Sequence, residues 1–131
     1  MSVIDDYVKE IETLLSTLPL KLSTRIQAEN RGDIALYLKV EIVFADGSEL
    51  HAREYFAALP AFTKIAYSYH YQDNISNMIF RYDNTEHYPE ISTYPHHKHL
   101  RDTVIHSRET SLKEVVDKIL YLLFKTKKHE Q

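Results

Sequence analysis

Histidines crowd one short stretch of this 131-residue chain, Tyr94-Pro95-His96-His97-Lys98-His99. Five of the eight histidines lie between residues 70 and 99, in a region that also holds Arg81. Histidine changes its charge near neutral pH and is also a common metal ligand. A cluster of this kind is typical of sites that transfer protons, bind phosphate or hold a metal ion.

Cleavage of RNA without a metal needs a base for the ribose 2′-hydroxyl, an acid for the leaving oxygen, and cations beside the phosphate. Histidine suits both proton transfers because its ordinary pKa lies close to neutral pH. The sequence offers His70 with His97 or His99 as base and acid. Arg81 and Lys98 are the candidates for stabilising charge on the phosphate.

A metal site is the second interpretation of the same histidines. On an extended chain His97 and His99 point the same way, so they can act as a pair of ligands for Zn²⁺ or Mn²⁺. The third ligand is then one of three residues: His70, His87 or Asp83. Lys98 beside such a site opposes a cation. The third interpretation is structural, with buried histidines that only hydrogen-bond a loop backbone.

Helical spacing of apolar residues predicts a first helix over residues 2–18, with Ser2 as N-cap and Asp5 completing a capping box. Ser111 and Glu114 form a second capping box, which begins a helix over residues 111–124.

Residues 34–44 alternate apolar with more polar side chains, which predicts a strand with one buried face. A hairpin turn follows. A three-residue loop, Asp46-Gly47-Ser48, places Phe44 opposite Leu50 and sets Glu41 across from Arg53. Gly47 or Ser48 is expected in the left-handed conformation.

Residues 61–72 and 77–83 predict a second hairpin, with a four-residue loop that sets Gln72 opposite Asn77. This register gives one face the more apolar side chains: Tyr67, Tyr69, Tyr71, Met78, Phe80 and Tyr82. The other, more polar face carries His70, Arg81 and Asp83.

Residues 84–100 are expected to form an irregular loop that brings the histidine cluster to the polar face of the sheet. Alternation within the cluster places His97 and His99 together, with His96 and Lys98 on the other side. A short last strand is expected over residues 102–106.

The predicted architecture is a single α+β domain over residues 1–131. An antiparallel sheet of about five to six strands, within residues 20–106, is flanked by an N-terminal and a C-terminal helix. The chain has no cysteine, which excludes disulfides and thiolate metal sites, and its net charge of −3 argues against a generic nucleic-acid coat protein. No apolar run reaches the roughly 20 residues of a membrane span. The first residues are acidic, so we expect a cytoplasmic protein without an export signal.

Four short motifs carry a family resemblance: Tyr69-His70-Tyr71-Gln72, Ile79-Phe80-Arg81-Tyr82-Asp83-Asn84, His87-Tyr88-Pro89-Glu90 and Tyr94-Pro95-His96-His97-Lys98-His99. With them the chain resembles the TumE-like toxin family, the toxin half of TumE–TumA toxin–antitoxin modules, over roughly residues 44–120. Tyr88 stands where the family pattern has a second histidine, and Tyr94 replaces a phenylalanine. The resemblance implies a growth-inhibiting toxin of a type II module, partnered by a small helix-turn-helix antitoxin.

We therefore predict a histidine-dependent endoribonuclease toxin that needs no cofactor, with RNA and the antitoxin as partners and no membrane association. The predicted catalytic residues are His70, Arg81, His97, Lys98 and His99. The predicted binding residues are Tyr82, Asp83, His87, His96 and Arg101. Two alternatives stay open: a nuclease or phosphodiesterase that depends on Zn²⁺ or Mn²⁺, and a non-enzymatic module that binds nucleic acid or the antitoxin. A homodimer is also compatible with the sequence.

Overall fold

Two helices and seven strands follow one another along residues 2–129, which are the residues described by the computed structural model; side chains are described to residue 126. The elements are α1 (Val3–Ser16), β1 (Lys21–Arg31), β2 (Ala35–Phe44), β3 (Glu49–Ala57), β4 (Thr63–Gln72), β5 (Met78–Asp83), β6 (His97–His99), β7 (Val104–His106) and α2 (Leu112–His129). Each strand pairs antiparallel with the next, which makes one sheet in the order β1 to β7. The α+β class and the two flanking helices are confirmed. The sheet has more strands than expected, because β6 lies within the segment that we expected to be irregular.

The helix starts are those that the sequence predicts. The Ser2 hydroxyl accepts from the Asp5 amide at 3.1 Å, and the Asp5 carboxylate accepts from the Ser2 amide at 3.4 Å. The Ser111 hydroxyl accepts from the Glu114 amide at 3.1 Å in the same way. These contacts satisfy N–H groups that the first turn of a helix leaves without partners. The C-terminal bounds differ: α1 ends before residue 18, and α2 continues beyond residue 124.

The β2–β3 hairpin has the predicted faces but not the predicted register. Ile42, not Phe44, lies opposite Leu50, and Glu41 lies opposite His51 instead of Arg53. The turn itself accounts for this shift. The Asp46 carboxylate accepts from the amide and hydroxyl of Ser48 at 2.9 and 2.5 Å, and Gly47 takes the left-handed φ of 84°. Ser48 therefore pairs with Phe44 rather than forming part of the loop.

The β4–β5 hairpin repeats this outcome. Gln72 pairs with Met78 and not with Asn77, next to a bulge that follows Tyr71. The Asp73 carboxylate accepts from the amides of Ile75 and Asn77, which shapes the loop. Past the bulge, Tyr71 lies opposite Phe80 instead of Met78, so the register of both hairpins is shifted by two residues. A two-residue shift keeps every side chain on its face.

Both helices pack on one face of the sheet. Ile4, Ile11 and Leu15 of α1 and the apolar stripe of α2 join one core with the inward residues of β2 to β5, including Leu38, Val40, Leu50, Tyr69 and Phe80. The other face carries polar residues of the same strands. Within residues 2–129, the segment between β5 and β6 covers part of this second face. The second face, which neither α1 nor α2 covers, is called the open face of the sheet.

A carboxylate is buried inside the core. Glu54 of β3 is 3 % exposed and accepts hydrogen bonds from the hydroxyls of Tyr7 at 2.5 Å and of Tyr69. The Lys64 ammonium lies 3.9 Å away and donates to the Tyr69 hydroxyl. Burial first, and then the negative charge of Glu54, raise the pKa of both tyrosines, which keeps them protonated as donors. This network connects α1, β3 and β4.

Candidate functional site

The carboxylate of Asp83 is the centre of a buried polar cluster at the end of β5. It lies 2.8 Å from Nε2 of His97 and 3.2 Å from Nε2 of His99. The Nε atom of Arg81 donates to the same carboxylate at 3.2 Å. Asp83 is only 4 % exposed, so the three side chains that contact it meet at a carboxylate that little water reaches.

Strand pairing produces this convergence. Asp83 pairs with His97, and Arg81 pairs with His99, across the β5–β6 ladder. Directly paired residues point to the same side of a sheet, so all four side chains meet on the open face. The ladder continues to β4, where His70 lies opposite Arg81 and Ser68 lies opposite Asp83.

A turn after β5 orients the carboxylate. The amide and the hydroxyl of Thr85 donate to Asp83 Oδ1 at 3.1 and 2.8 Å. The side chain of Asn84 bonds the backbone of β4 at Tyr67 and Ile65. A threonine two residues after an aspartate is a recognisable signal for such a turn. The turn and the histidine contacts therefore use the same carboxylate.

His97 is held on both sides of its ring. Its side chain is 0 % exposed. Nδ1 lies 2.8 Å from the carbonyl oxygen of Pro95, which can only accept, so Nδ1 carries a proton. Nε2 lies between Asp83 and Nε2 of His99, at 3.1 Å from the latter. The ring of Tyr88 packs edge-on against His97 and His99, with centroids 4.9 and 5.7 Å away.

The pKa values of Asp83, His99 and His70 are all lowered, but the causes differ between the carboxylate and the two histidines. Burial raises the pKa of Asp83, but the two Thr85 hydrogen bonds and the neighbouring histidines outweigh burial, so the net shift is downward. Burial, followed by the charge of Arg81, lowers the pKa of His99. Burial also lowers the pKa of His70. At neutral pH the site therefore holds an ionised carboxylate beside neutral His99.

A pocket of about 250 Å³ opens above this cluster. Its lining includes Arg81, Asp83 and His99 from the sheet, with His87 and Tyr88 from the covering segment. His97 does not line the pocket, because its ring is fully enclosed. It contacts Asp83 and His99, which do line it. The pocket is therefore a small cleft that an arginine, a carboxylate and histidines line together.

A comparison with protein families matches residues 11–123 to the family described as toxin TumE. The chain belongs to the TumE toxin family. It is accordingly the toxin component of a toxin–antitoxin module, and it has an antitoxin as partner. No curated protein and no solved structure matches the chain. Neither of the toxin's helices has, within residues 2–129, an apolar stretch suited to crossing a membrane.

The structure brings together five of the ten residues that the sequence of the toxin singles out. His97, His99, Arg81 and Asp83 are in contact, and His87 lines the same pocket. His70 is the neighbour of Arg81 on β4, outside the pocket lining, with its Nε2 3.1 Å from the side-chain oxygen of Gln72. Three further contributors are not among the predicted residues: Thr85, Tyr88 and Pro95. The spacing of Thr85 from Asp83 is a signal for its turn, whereas the contacts of Tyr88 and Pro95 exist only in the folded segment.

Lys98 and Tyr82 lie on the opposite, helix-covered side of the toxin's sheet. The Lys98 ammonium is 4.8 Å from the centroid of the Tyr82 ring, and the Lys118 ammonium donates to the Tyr82 hydroxyl at 3.0 Å. Burial raises the pKa of Tyr82, but the two lysines outweigh burial and the pKa is lowered. Lys98 is thus separated from His97 and His99 by the sheet, as alternation predicts, and does not share their pocket.

The two remaining predicted residues also lie outside the pocket. His96 stacks on Tyr67 with a centroid distance of 5.8 Å, and its Nδ1 shares a 2.8 Å hydrogen bond with the Tyr67 hydroxyl. Arg101 is exposed in the turn between β6 and β7. His96 therefore anchors the covering segment to β4, while Arg101 lies at the rim of the sheet.

The donor set of the cluster also fits a metal ion. Ligand atoms of Asp83, His97 and His99 all lie within 4.8 Å of one another. Two imidazoles and a carboxylate suit Zn²⁺ or Mn²⁺, and the Pro95 carbonyl on Nδ1 of His97 is the support that metal-bound histidines usually have. The charge of Arg81, whose Nε contacts the same carboxylate, opposes a cation.

Proposed function

We propose that this toxin is an endoribonuclease that cleaves RNA by attack of a ribose 2′-hydroxyl on the adjacent phosphate, without a metal. The single observation that carries the proposal is the convergence of Arg81, Asp83 and His99 in one pocket on the open face of the sheet. Phosphate binding and proton transfer both need groups at that range from one bound phosphate.

His99 acts as the base. Its Nε2–H donates to Asp83, which leaves Nδ1 as the nitrogen that accepts a proton. The lowered pKa keeps the ring neutral at pH 7, as a base must be. Asp83 orients the ring and stabilises the imidazolium that forms. His97, enclosed on all sides, positions Asp83 and His99.

Arg81 stabilises the charge that develops on the phosphate. Its side chain is 39 % exposed, and only Nε is engaged among the contacts within residues 2–126, by Asp83. The acid is assigned to His87, because His87 lines the pocket and His70 does not. The 2′-oxygen forms a bond to phosphorus, the bond to the 5′-oxygen breaks, and His87 returns a proton to that oxygen. The products are a 2′,3′-cyclic phosphate and a 5′-hydroxyl.

The test compares cleavage of a long RNA by the purified toxin and by His99→Ala, with EDTA in both reactions. Loss of one proton-transfer group is expected to slow cleavage by about 10²- to 10⁴-fold. His51→Ala is the matched control, since His51 lies on the same open face but contacts Glu49 and Glu41. Equal activity of wild type and His99→Ala, or no activity in either, rejects the proposal. A larger loss in His70→Ala than in His87→Ala moves the acid role to His70.

A metal-dependent nuclease or phosphodiesterase is the second candidate, favoured by the ligand set of Asp83, His97 and His99. Three protein ligands with an open position is the pattern of catalytic zinc sites. Elemental analysis after purification with added Zn²⁺ or Mn²⁺ separates the candidates. One bound metal per chain in wild type and none in His97→Ala supports the metal; no bound metal in either rejects it.

The same proposal includes the type of the toxin–antitoxin module, the kind of antitoxin and the target. We infer a type II system in which a helix-turn-helix antitoxin binds the toxin in the cytoplasm, with RNA as the target. The motif resemblance supports the type of antitoxin, and the pocket supports the target. Size-exclusion chromatography of toxin with and without its antitoxin tests the complex, and it also reports whether the toxin alone is a homodimer.

A further inference from the structure

A groove of about 600 Å³ crosses the open face of the sheet from β1 to β4. Its lining includes Tyr37, Lys39, Arg53 and Tyr55. It shares Ser68 and two further lining residues with the 250 Å³ pocket that holds His99. Groove and pocket are therefore parts of one continuous surface.

Two cations lie along this groove in line with the pocket. The register runs from Lys39 to Arg53, then to Ser68, and then to Asp83, one residue on each of four neighbouring strands. Strands lie about 4.8 Å apart, so Arg53 is about 10 Å and Lys39 about 14 Å from Asp83 along the sheet. Arg53 is exposed and has no acidic partner among the described residues. A polyanion in the groove would meet these charges on its way to Arg81.

Two aromatic rings form a shelf beside the cations. Tyr37 and Tyr55 pair across β2 and β3 with ring centroids 4.6 Å apart. Tyr37 is 45 % exposed, and the Arg31 guanidinium lies 4.5 Å from its centroid. An exposed tyrosine shelf next to cations is the combination that binds unpaired bases by stacking and their phosphates by charge.

The groove also contains carboxylates, and each is matched. Glu29 lines the groove and forms an ion pair with Arg31 at 3.1 Å. Glu41, on the neighbouring row, lies 3.5 Å from Lys39 and 3.6 Å from Arg25. Arg53 is the cation that these pairs leave uncompensated, so the charge nearest the pocket is positive.

We propose that single-stranded RNA lies in this groove, with a base on the Tyr37–Tyr55 shelf, backbone phosphates at Lys39 and Arg53, and the cleaved linkage beside Arg81 and His99. This assignment rests on the endoribonuclease activity proposed above and names its substrate class. Bases inside a duplex are already stacked on one another, so the tyrosine shelf selects unpaired RNA.

The test measures binding of a fluorescent single-stranded oligonucleotide by anisotropy, with 2′-deoxy sugars so that the strand cannot be cleaved. The full chain is compared with Tyr55→Ala and Arg53→Ala. Loss of one stacking contact is expected to weaken binding by about tenfold or more. The Arg53→Ala variant is expected to bind more weakly and with a smaller dependence on salt. Tyr121→Ala and Arg108→Ala are the matched controls, because both residues are exposed and lie outside the groove.

The possible outcomes distinguish RNA binding in the groove from RNA cleavage at the pocket. Tyr55→Phe keeps an aromatic ring and is expected to bind like wild type. An unchanged circular dichroism spectrum of Tyr55→Ala shows that its loss of binding is not a folding defect. Unchanged binding in both groove variants, or equal binding of a duplex, overturns the assignment. Groove variants that bind RNA normally but lose the antitoxin also overturn it, since the groove is then a protein-docking surface. Groove-dependent binding by a toxin that cleaves no RNA retains the groove and rejects the endoribonuclease.

Discussion

Replacement of Asp83 by alanine is expected to destabilise the folded protein strongly, whatever the reaction is. The change removes the acceptor for Nε2 of His97, whose side chain is fully enclosed, and for the amide and hydroxyl of Thr85. An unsatisfied buried polar group costs about 1–3 kcal/mol, and the change leaves more than one such group without its partner. The contact with Arg81 adds little because that side chain is 39 % exposed. We therefore expect a loss of about 3–5 kcal/mol.

Urea denaturation in the presence of EDTA measures this loss. The chain has no tryptophan and ten tyrosines, so far-UV circular dichroism and tyrosine fluorescence are the probes. With an m value of about 2 kcal/mol/M, the midpoint is expected to fall by roughly 2 M. Asp73→Ala is the matched control, since Asp73 also accepts from backbone amides, but in an exposed loop. Asp83→Asn is expected to fall between wild type and Asp83→Ala because an amide oxygen still accepts from Thr85. A midpoint for Asp83→Ala equal to that of Asp73→Ala would refute the structural role of the cluster.

Three further predictions concern pH, the core and the helix-covered face. The pH profile of kcat/KM is expected to be bell-shaped, with its acidic limb below pH 6.5, because burial lowers the pKa of His99 and the neutral ring is the base. Tyr69→Phe removes a hydrogen bond to buried Glu54 and is expected to cost about 1–3 kcal/mol in chemical denaturation. Lys118→Ala removes a cation that lowers the pKa of Tyr82, so ultraviolet titration should show that tyrosine ionising at higher pH. Three results would contradict the contacts that these predictions test. They are an acidic limb of the kcat/KM profile above pH 6.5, an unchanged stability of Tyr69→Phe, and an unchanged titration of Tyr82 in Lys118→Ala.

The faces of the sheet were predictable from the sequence because alternation has a period of two. His70, Arg81 and Asp83 share the open face, although the predicted β4–β5 register was shifted by two residues. The register itself depends on hydrogen bonds from Asp46 and Asp73 within the turns, and on a bulge. Several loop lengths have similar free energies, so the alternation of apolar and polar residues does not by itself determine which loop forms.

The residues of the candidate site were easier to predict from the sequence than their arrangement. Alternation correctly paired His97 with His99 and placed Lys98 on the other side. Asp83 is one of the three residues that the sequence offers as their partner, and the β5–β6 ladder makes it the one in contact. The covering positions of Tyr88 and Pro95 depend on how the segment before β6 folds back, which is a tertiary property with no periodic signal.

The chemistry of the cleaved ends tests the central claim most directly. A defined single-stranded RNA is incubated with the toxin in EDTA, and the products are analysed by mass spectrometry. The account predicts fragments with 2′,3′-cyclic phosphate and 5′-hydroxyl ends from wild type, and at least about a hundredfold fewer of them from His99→Ala. Intact RNA in both reactions, fragments with 5′-phosphate ends, or equal cleavage by the two proteins would contradict it.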